Sequence, residues 1–417
     1  MNEFLAFWSE GAAPTVGSAT VAWSLLLAVA AVVGYLVRRY TGLPKVAGYS
    51  VVGAIAGFFG FTGVVWPLQG NGLFLLELGV AVVLFEAGAR ISLRWFRHNP
   101  MVLVQSLLES AATFAGVYWL LSSFGLEPSL SRNLAIVSMV ASPAVLTRVV
   151  MDSRASGPVT ERALTLSTLN TLYALTLGTA MAGLDTPHAD WLATMYPIVR
   201  VFGMSIMVAA IATFAMRSAL RVMSPTSENT SMLLLALIAA GAASAASLGG
   251  SAALAALLTG MLLKQLHPRP WIWPRQLGTA GAMLTMLMFV LVSTAAAQAP
   301  WQHAAVIIAL ALVVVRAAAK IVAVSLASFG SGLKPQQALW VGCAMSPMSS
   351  VALLLTSVFA TASPALAMQL TAIALPAILL MEVLGGFVAT VALTRAGEAA
   401  QPWIGVTPSN SKRGELA

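Results

Sequence analysis

Two Ser-Pro pairs, Ser142-Pro143 and Ser346-Pro347, stand in the middle of long apolar runs. Proline removes a backbone donor and frees the carbonyl one turn earlier, so each run is expected to be interrupted there. Free backbone at membrane depth is tolerated only beside a cavity, and serine hydroxyls with loosened carbonyls can ligate a small ion. Half-helix ends would add partial charge to such a site. One Ser-Pro step more often simply kinks a packed helix; two at corresponding depth favour a site.

Cations stand nearby in the same apolar context. Arg316 and Lys320 are four residues apart and share one helix face, with Arg316 close to mid-span. Charge at that depth costs at least several kcal/mol unless it is paired or hydrated, so a functional role is the default reading. The structural alternatives are a charge brace for Arg316 and, for Lys320, snorkelling towards the aqueous surface. Candidate carboxylate partners are Glu77, Glu86, Glu109 and Glu382. Glu86, four residues before Arg90, reads as an interfacial ion pair. Glu109 and Glu382 are the candidates for a titrating carboxylate, weighed against merely neutralising the two cations.

The elements that must position these residues are membrane spans. Of 417 residues 59% are hydrophobic and 9% charged, and the mean hydropathy is +0.87, so lipid must be the solvent. Hydropathy places about thirteen helices, at roughly 20–38, 46–62, 72–89, 101–123, 133–150, 163–183, 194–216, 231–247, 250–264, 277–298, 303–327, 337–359 and 365–394. The first reads as a retained span, since an acidic leader precedes it. With the N-terminus outside, the inward loops hold Arg38, Arg39 and Lys45, then Arg90, Arg94 and Arg97, then Arg148, Arg154 and Arg162, then Arg217 and Arg221, then Lys264, Arg269 and Arg275, then Lys334, and finally Arg395, Lys412 and Arg413. The outward loops hold little beyond Arg132, with acids such as Glu127, Asp185 and Asp190. The formal charge of +8 therefore reflects topology, not nucleic-acid binding. Trp66, Trp95, Trp191, Trp271, Trp273 and Trp301 fall near helix ends, as interfacial anchors do.

The two Ser-Pro spans are the fifth and the twelfth in order, an odd number of spans apart, so their directions are opposite. That is the signature of an inverted-topology repeat, about 20–183 against 231–394, with a linker helix at about 194–216. Residues 1–395 are thus expected to form the transmembrane domain and 396–417 a polar cytoplasmic tail. Gly-rich stretches at Val51–Gly60 and Gly241–Gly260 suit close helix contacts, and Gly249-Gly250 a tight turn. Cys343 has no disulfide partner, and His98, His188, His267 and His303 are scattered, so neither a cofactor nor a resident metal is expected.

The sequence resembles the monovalent cation/proton antiporter superfamily, in particular the Kef-like branch of sodium/proton exchanger membrane domains. The likeness is carried by Leu43-Pro44-Lys45-Val46-Ala47-Gly48-Tyr49, by Leu76-Glu77-Leu78-Gly79 through Leu84-Phe85-Glu86-Ala87-Gly88, by Ala141-Ser142-Pro143-Ala144-Val145 running on to Arg154 through Leu164, and by Arg316 and Lys320 followed by Ser346-Pro347-Met348-Ser349-Ser350-Val351-Ala352. The resemblance implies an all-α integral membrane fold with two crossing broken helices, a mobile ion-carrying core, a separate dimerisation domain and alternating access in a homodimer. Where the family carries Asp-Asp or Asn-Asp, this chain has Asn170-Thr171, and a hydroxyl can ligate Na⁺ or K⁺ but cannot exchange it for a proton. The expected cation site is then Ser142, Asn170, Thr171 and Ser346, with Arg316 and Lys320 as fixed or competing charges, and Glu109 or Glu382 in the titrating role. The function so implied is exchange of a monovalent cation for protons across the inner membrane, without enzymatic catalysis. The alternatives on the same fold are an uncoupled ion pathway and a non-transporting sensor or scaffold.

Overall fold

The structure is a computed structural model, and it describes residues 16–61, 66–68, 70–91, 93–182, 191–224, 227–266, 275–328 and 331–399. Asp185, Asp190, Arg269, Trp271, Trp273, His188, His267, Lys412 and Arg413 lie outside the described residues, as do the side chains of Trp95, Arg97, His98, Trp191 and Arg275. The described chain is helical throughout. Its first half contains α1 (Val16–Thr41), α2 (Lys45–Phe58), α3 (Gly70–Arg90), the short α4 (Leu93–His98), α5 (Met101–Ser123), α6 (Pro128–Met139), α7 (Pro143–Ser153) and α8 (Pro158–Met181). A long helix, α9 (Trp191–Val222), leads into the second half. There follow α10 (Glu228–Ser247), α11 (Ala252–Leu266), α12 (Arg275–Ala297), α13 (His303–Leu326), α14 (Pro335–Ala344), α15 (Ser350–Ala362) and α16 (Pro364–Arg395).

Nine segments among the described residues are long and apolar enough to cross a membrane, counting α6 and α7 together. The other expected spans fall on α2, α11 and α15, which are shorter, and on α8, which is more polar. α8 can lie within an apolar bundle because its hydroxyls are satisfied on its own carbonyls. Thr165 donates to Glu161, Thr168 to Leu164, Thr171 to Ser167 and Thr176 to Leu172, at 2.7–2.8 Å.

Helices approach closely where the sequence offers no side chain. A Cβ on Gly88 would stand 2.2 Å from the Leu257 carbonyl, and one on Gly260 2.2 Å from that of Phe85, so α3 and α11 pack backbone to backbone. Gly53 and Gly57 do the same for α2 against Val290 and Thr294 of α12. The run 51–60 and the end of the run 241–260 thus serve helix contact, and Gly249, at φ +78°, makes the turn between α10 and α11.

Trp66, just before α3, is part-exposed and donates from Nε1 to Thr371 Oγ1 at 3.0 Å. Three details depart from expectation. Arg148 and Arg162, read as loop cations, lie on α7 and α8: Arg148 bonds Thr285, and the buried Arg162 bonds Gln105 and the Ser331 carbonyl. α4 was not anticipated as a helix. The residues after α16, expected to begin a detached tail, instead fold back onto α8. Glu398 accepts from the Val159 and Thr160 amides at 2.8 and 2.7 Å and from the Thr160 hydroxyl at 2.7 Å. A carboxylate at a helix N-terminus meets orphan N–H donors and the positive end of the dipole, which explains the docking. Residues 400–417 lie outside the described residues.

Candidate ion-binding site

Both Ser-Pro runs are interrupted. The first stops at Met139 and resumes at Pro143, with Ser142 as N-cap, its Oγ accepting from Val145 N at 3.4 Å, and Pro143 in the first turn. That is where serine and proline favour a helix start rather than a kink. The second stops at Ala344 and resumes at Ser350. Proline alone does not cause this, because Pro376 lies within the continuous α16. The two breaks meet directly: the Ser142 amide donates to the Pro347 carbonyl at 2.8 Å. α16 also presses on the crossing, since a Cβ on Gly385 would stand 2.6 Å from Pro347 Cα.

Interrupting two buried helices leaves carbonyls without partners, and Arg316 supplies the donors. Its Nε bonds Ser138 O at 2.9 Å, Nη2 bonds Val140 O at 2.6 Å and Pro347 O at 3.3 Å, and Nη1 bonds Ser346 O at 2.6 Å. The side chain is fully buried. Its fork of donors thus holds both breaks together, as a brace, and among the described residues no carboxylate hydrogen-bonds to it.

Lys320, one turn further along α13, is equally buried and so does not snorkel. Its Nζ lies 2.5 Å from Glu109 Oε1 of α5 and 3.1 Å from the Met139 carbonyl at the end of α6. Glu109 also accepts from Thr113 Oγ1 at 3.1 Å and from the Asn170 side-chain amide. Asn170 Oδ1 in turn accepts from Ser110 Oγ at 2.9 Å. One carboxylate and one ammonium, both fully buried and joined at the first break, form the ionic centre of the fold.

Thr171 is beside this centre but not in it. Its hydroxyl contacts the Ala141 carbonyl at 3.2 Å in the first break, so it lines the crossing. One helical turn before it, Thr168 joins Arg90, Thr147, Glu161 and Thr165 in a cleft of about 310 Å³ between α3, α7 and α8. The Thr147 hydroxyl has no hydrogen-bond partner. Glu86, as expected, pairs with Arg90 at 2.9 Å beside that cleft.

Glu382 is the residue that sequence reasoning misplaced. It was expected to answer Arg316 or Lys320, but neither bonds to it. Instead Ser50 Oγ of α2 donates to its Oε1 at 3.2 Å, and Ser293 of α12 and Ser349 of the second break stand beside the carboxylate. Ser142, Asn170, Thr171, Arg316, Lys320, Ser346 and Glu109 are thus gathered at the crossing, and Glu382 meets the second break only through Ser349. Among the described residues no group of three or more His, Cys, Asp or Glu is placed to hold a metal.

A chain helical over its described residues, with nine apolar candidate spans and two interrupted helices that meet beside a buried ion pair, has the architecture of a membrane ion carrier. The family model for the sodium/hydrogen exchanger transmembrane region matches residues 27–395, and the chain belongs to that family. Its fold is similar to two structures of the sodium proton antiporter MjNhaP1 from Methanocaldococcus jannaschii. One, determined at pH 8, matches with a TM-score of 0.67 at 14% identity, covering 90% of this chain and 98% of that one. The other, from an electron-microscopy map, matches with a TM-score of 0.68 at 14% identity, covering 92% and 96%.

Proposed function

We propose that this protein exchanges a monovalent cation, Na⁺ or K⁺, for protons across the cell membrane by alternating access, and that Glu109, paired with Lys320, has taken the exchanging role that Thr171 cannot perform. The observation that carries this reading is the buried Lys320–Glu109 pair, 2.5 Å apart beside the first break. A cation entering through the cleft at Thr168 reaches Thr171, the Ala141 carbonyl, Ser142 and Asn170, and then competes with the Lys320 ammonium for Glu109. A dry ammonium without a counter-ion is too costly to keep, so Lys320 gives up its proton as the cation binds. One positive charge enters and one leaves, and the buried net charge is unchanged. Arg316, held by four carbonyls, keeps the two breaks in register throughout. The topology that fits has the N-terminus outside and the C-terminus in the cytoplasm, with a homodimer as the working assembly. The transmembrane domain comprises residues 1–395, as repeats of about 20–183 and 231–394 joined by the helix at 194–216.

Proteoliposomes carrying a pH-sensitive dye test it. An imposed Na⁺ or K⁺ gradient should drive proton movement, and Glu109→Gln should abolish that movement. Cation flux without protons would convert the reading to an uncoupled pathway, and no flux at all would leave a scaffold.

A further inference from the structure

Glu382 is wholly buried, and its Oε2 has no hydrogen-bond partner. Three serine hydroxyls surround the same carboxylate, from Ser50, Ser293 and Ser349, each on a residue with no exposed surface. Ser50 donates at 3.2 Å, and the Ser293 and Ser349 hydroxyls also face the carboxylate, but neither they nor Oε2 completes a well-formed hydrogen bond among the described residues. Poorly satisfied polar atoms are rare inside proteins because each costs on the order of 1–3 kcal/mol, so a buried carboxylate ringed by three hydroxyls with one well-formed hydrogen bond among them has the makings of a ligand site. No lysine, arginine or histidine ion-pairs with Glu382 among the described residues. Arg316 touches the neighbouring Met381 sulfur at 3.9 Å but spends its donors on the two breaks.

We infer that Glu382, Ser50, Ser293 and Ser349 form a second cation site, for a dehydrated monovalent ion, distinct from the Glu109 centre. The chemistry selects that class of ligand. Two carboxylate and three hydroxyl oxygens are hard donors suited to an alkali cation, and soft ligands are absent. The site carries a single negative charge, so a monovalent ion leaves it neutral, whereas a divalent one would strand a buried positive charge. Because the ligands come from α2, α12, the second break and α16, an occupied site ties that break to two helices outside the crossing.

This inference stands apart from the exchange reading, and the experiment separates the two. Equilibrium binding of radioactive Na⁺, with K⁺ as competitor, is measured on the purified full chain in nanodiscs. Glu382→Gln should remove one class of bound cation and keep the class that Glu109→Gln removes. Ser349→Ala or Ser293→Ala, which keep the carboxylate, should weaken that first class about tenfold, as loss of one oxygen ligand worth about 1.4 kcal/mol would. Infrared difference spectra should show a protonated carboxylic-acid band in cation-free protein that saturating Na⁺ removes and that Glu382→Gln lacks. Unchanged stoichiometry in Glu382→Gln together with unaltered affinity in the serine variants overturns the site. So does an acid band that persists at saturating Na⁺, which would mean that Glu382 holds only a proton, with water on the serines. Retained proton-coupled flux in Glu109→Gln, with the Glu382 class of bound cation still lost in Glu382→Gln, would instead count against the exchange reading alone.

Discussion

Lys320 and Glu109 each have no exposed surface, and each is the other's counter-ion at 2.5 Å. Removing one partner of such a pair strands a charge that neither water nor lipid can solvate, at a cost of roughly 3–5 kcal/mol, whereas removing both leaves nothing to solvate. Lys320→Met and Glu109→Gln are therefore each expected to lower thermal stability markedly. The double variant should recover most of the loss while remaining unable to couple cations to protons. A double-mutant cycle on the unfolding of detergent-solubilised protein reads the coupling, and simple additivity would contradict the pair. Much of this centre was legible in the sequence, because a lysine and a glutamate at membrane depth must find partners and few were available. Asn170 and Thr171 were legible only through the family pattern. What sits around Glu382 was not legible: Ser50 and Ser293 are ordinary serines in apolar helices, and only the packing of α2 and α12 brings them to the same carboxylate. Glu398 looked like one more residue of a polar end, and its partners are backbone amides, which carry no sequence signature.

Helices α6–α7 and α14–α15 are each one span divided in two, and the division depends on Arg316 as much as on proline. Four carbonyls from residues 138, 140, 346 and 347 converge on one guanidinium, a geometry that a planar fork of five donors can serve and a single ammonium cannot. Arg316→Lys keeps the charge and loses the fork. It should orphan at least one carbonyl in each break, at about 1–3 kcal/mol apiece, and loosen the crossing. Hydrogen exchange followed by mass spectrometry should then show faster exchange at residues 140–146 and 346–353, with α3 and α11 unaffected. Equal exchange in both proteins would mean that the breaks hold themselves apart without the brace. At this scale the sequence revealed both interruptions, since proline beside serine in an apolar run has few other uses. It did not reveal that the second break would extend to Ser349, two residues past Pro347, since no proline opens that half-helix and Ser349, though at the N-cap, makes no capping hydrogen bond.

At the scale of the whole molecule, contacts sort the loops into two ends. Asp152 receives the Lys45 amide at 2.9 Å, Arg38 bonds the Asp152 carbonyl, Glu398 caps α8, and Arg90 shares a cleft with Glu161, so the segments rich in arginine and lysine share one end. At the other end Trp66 meets Thr371, Phe58 packs on Trp301 at 5.3 Å and Gln298 bonds the Phe61 carbonyl, with little charge among them. Basic loops are retained on the cytoplasmic side during insertion, so the first end should face the cytoplasm. The chain's single cysteine makes this testable by labelling. In a Cys343→Ser background, Gln302→Cys, exposed at the charge-poor end, should react with a membrane-impermeant maleimide in intact cells. Gln336→Cys, exposed just after Lys334, should react only once the membrane is opened. The reverse pattern would invert the topology, turn the Thr168 cleft towards the outside and reverse the direction in which the proposed exchange begins. The ion pair, the crossing and the Glu382 pocket would keep their geometry in either orientation, because each is built from contacts within the bundle rather than from its placement in the bilayer.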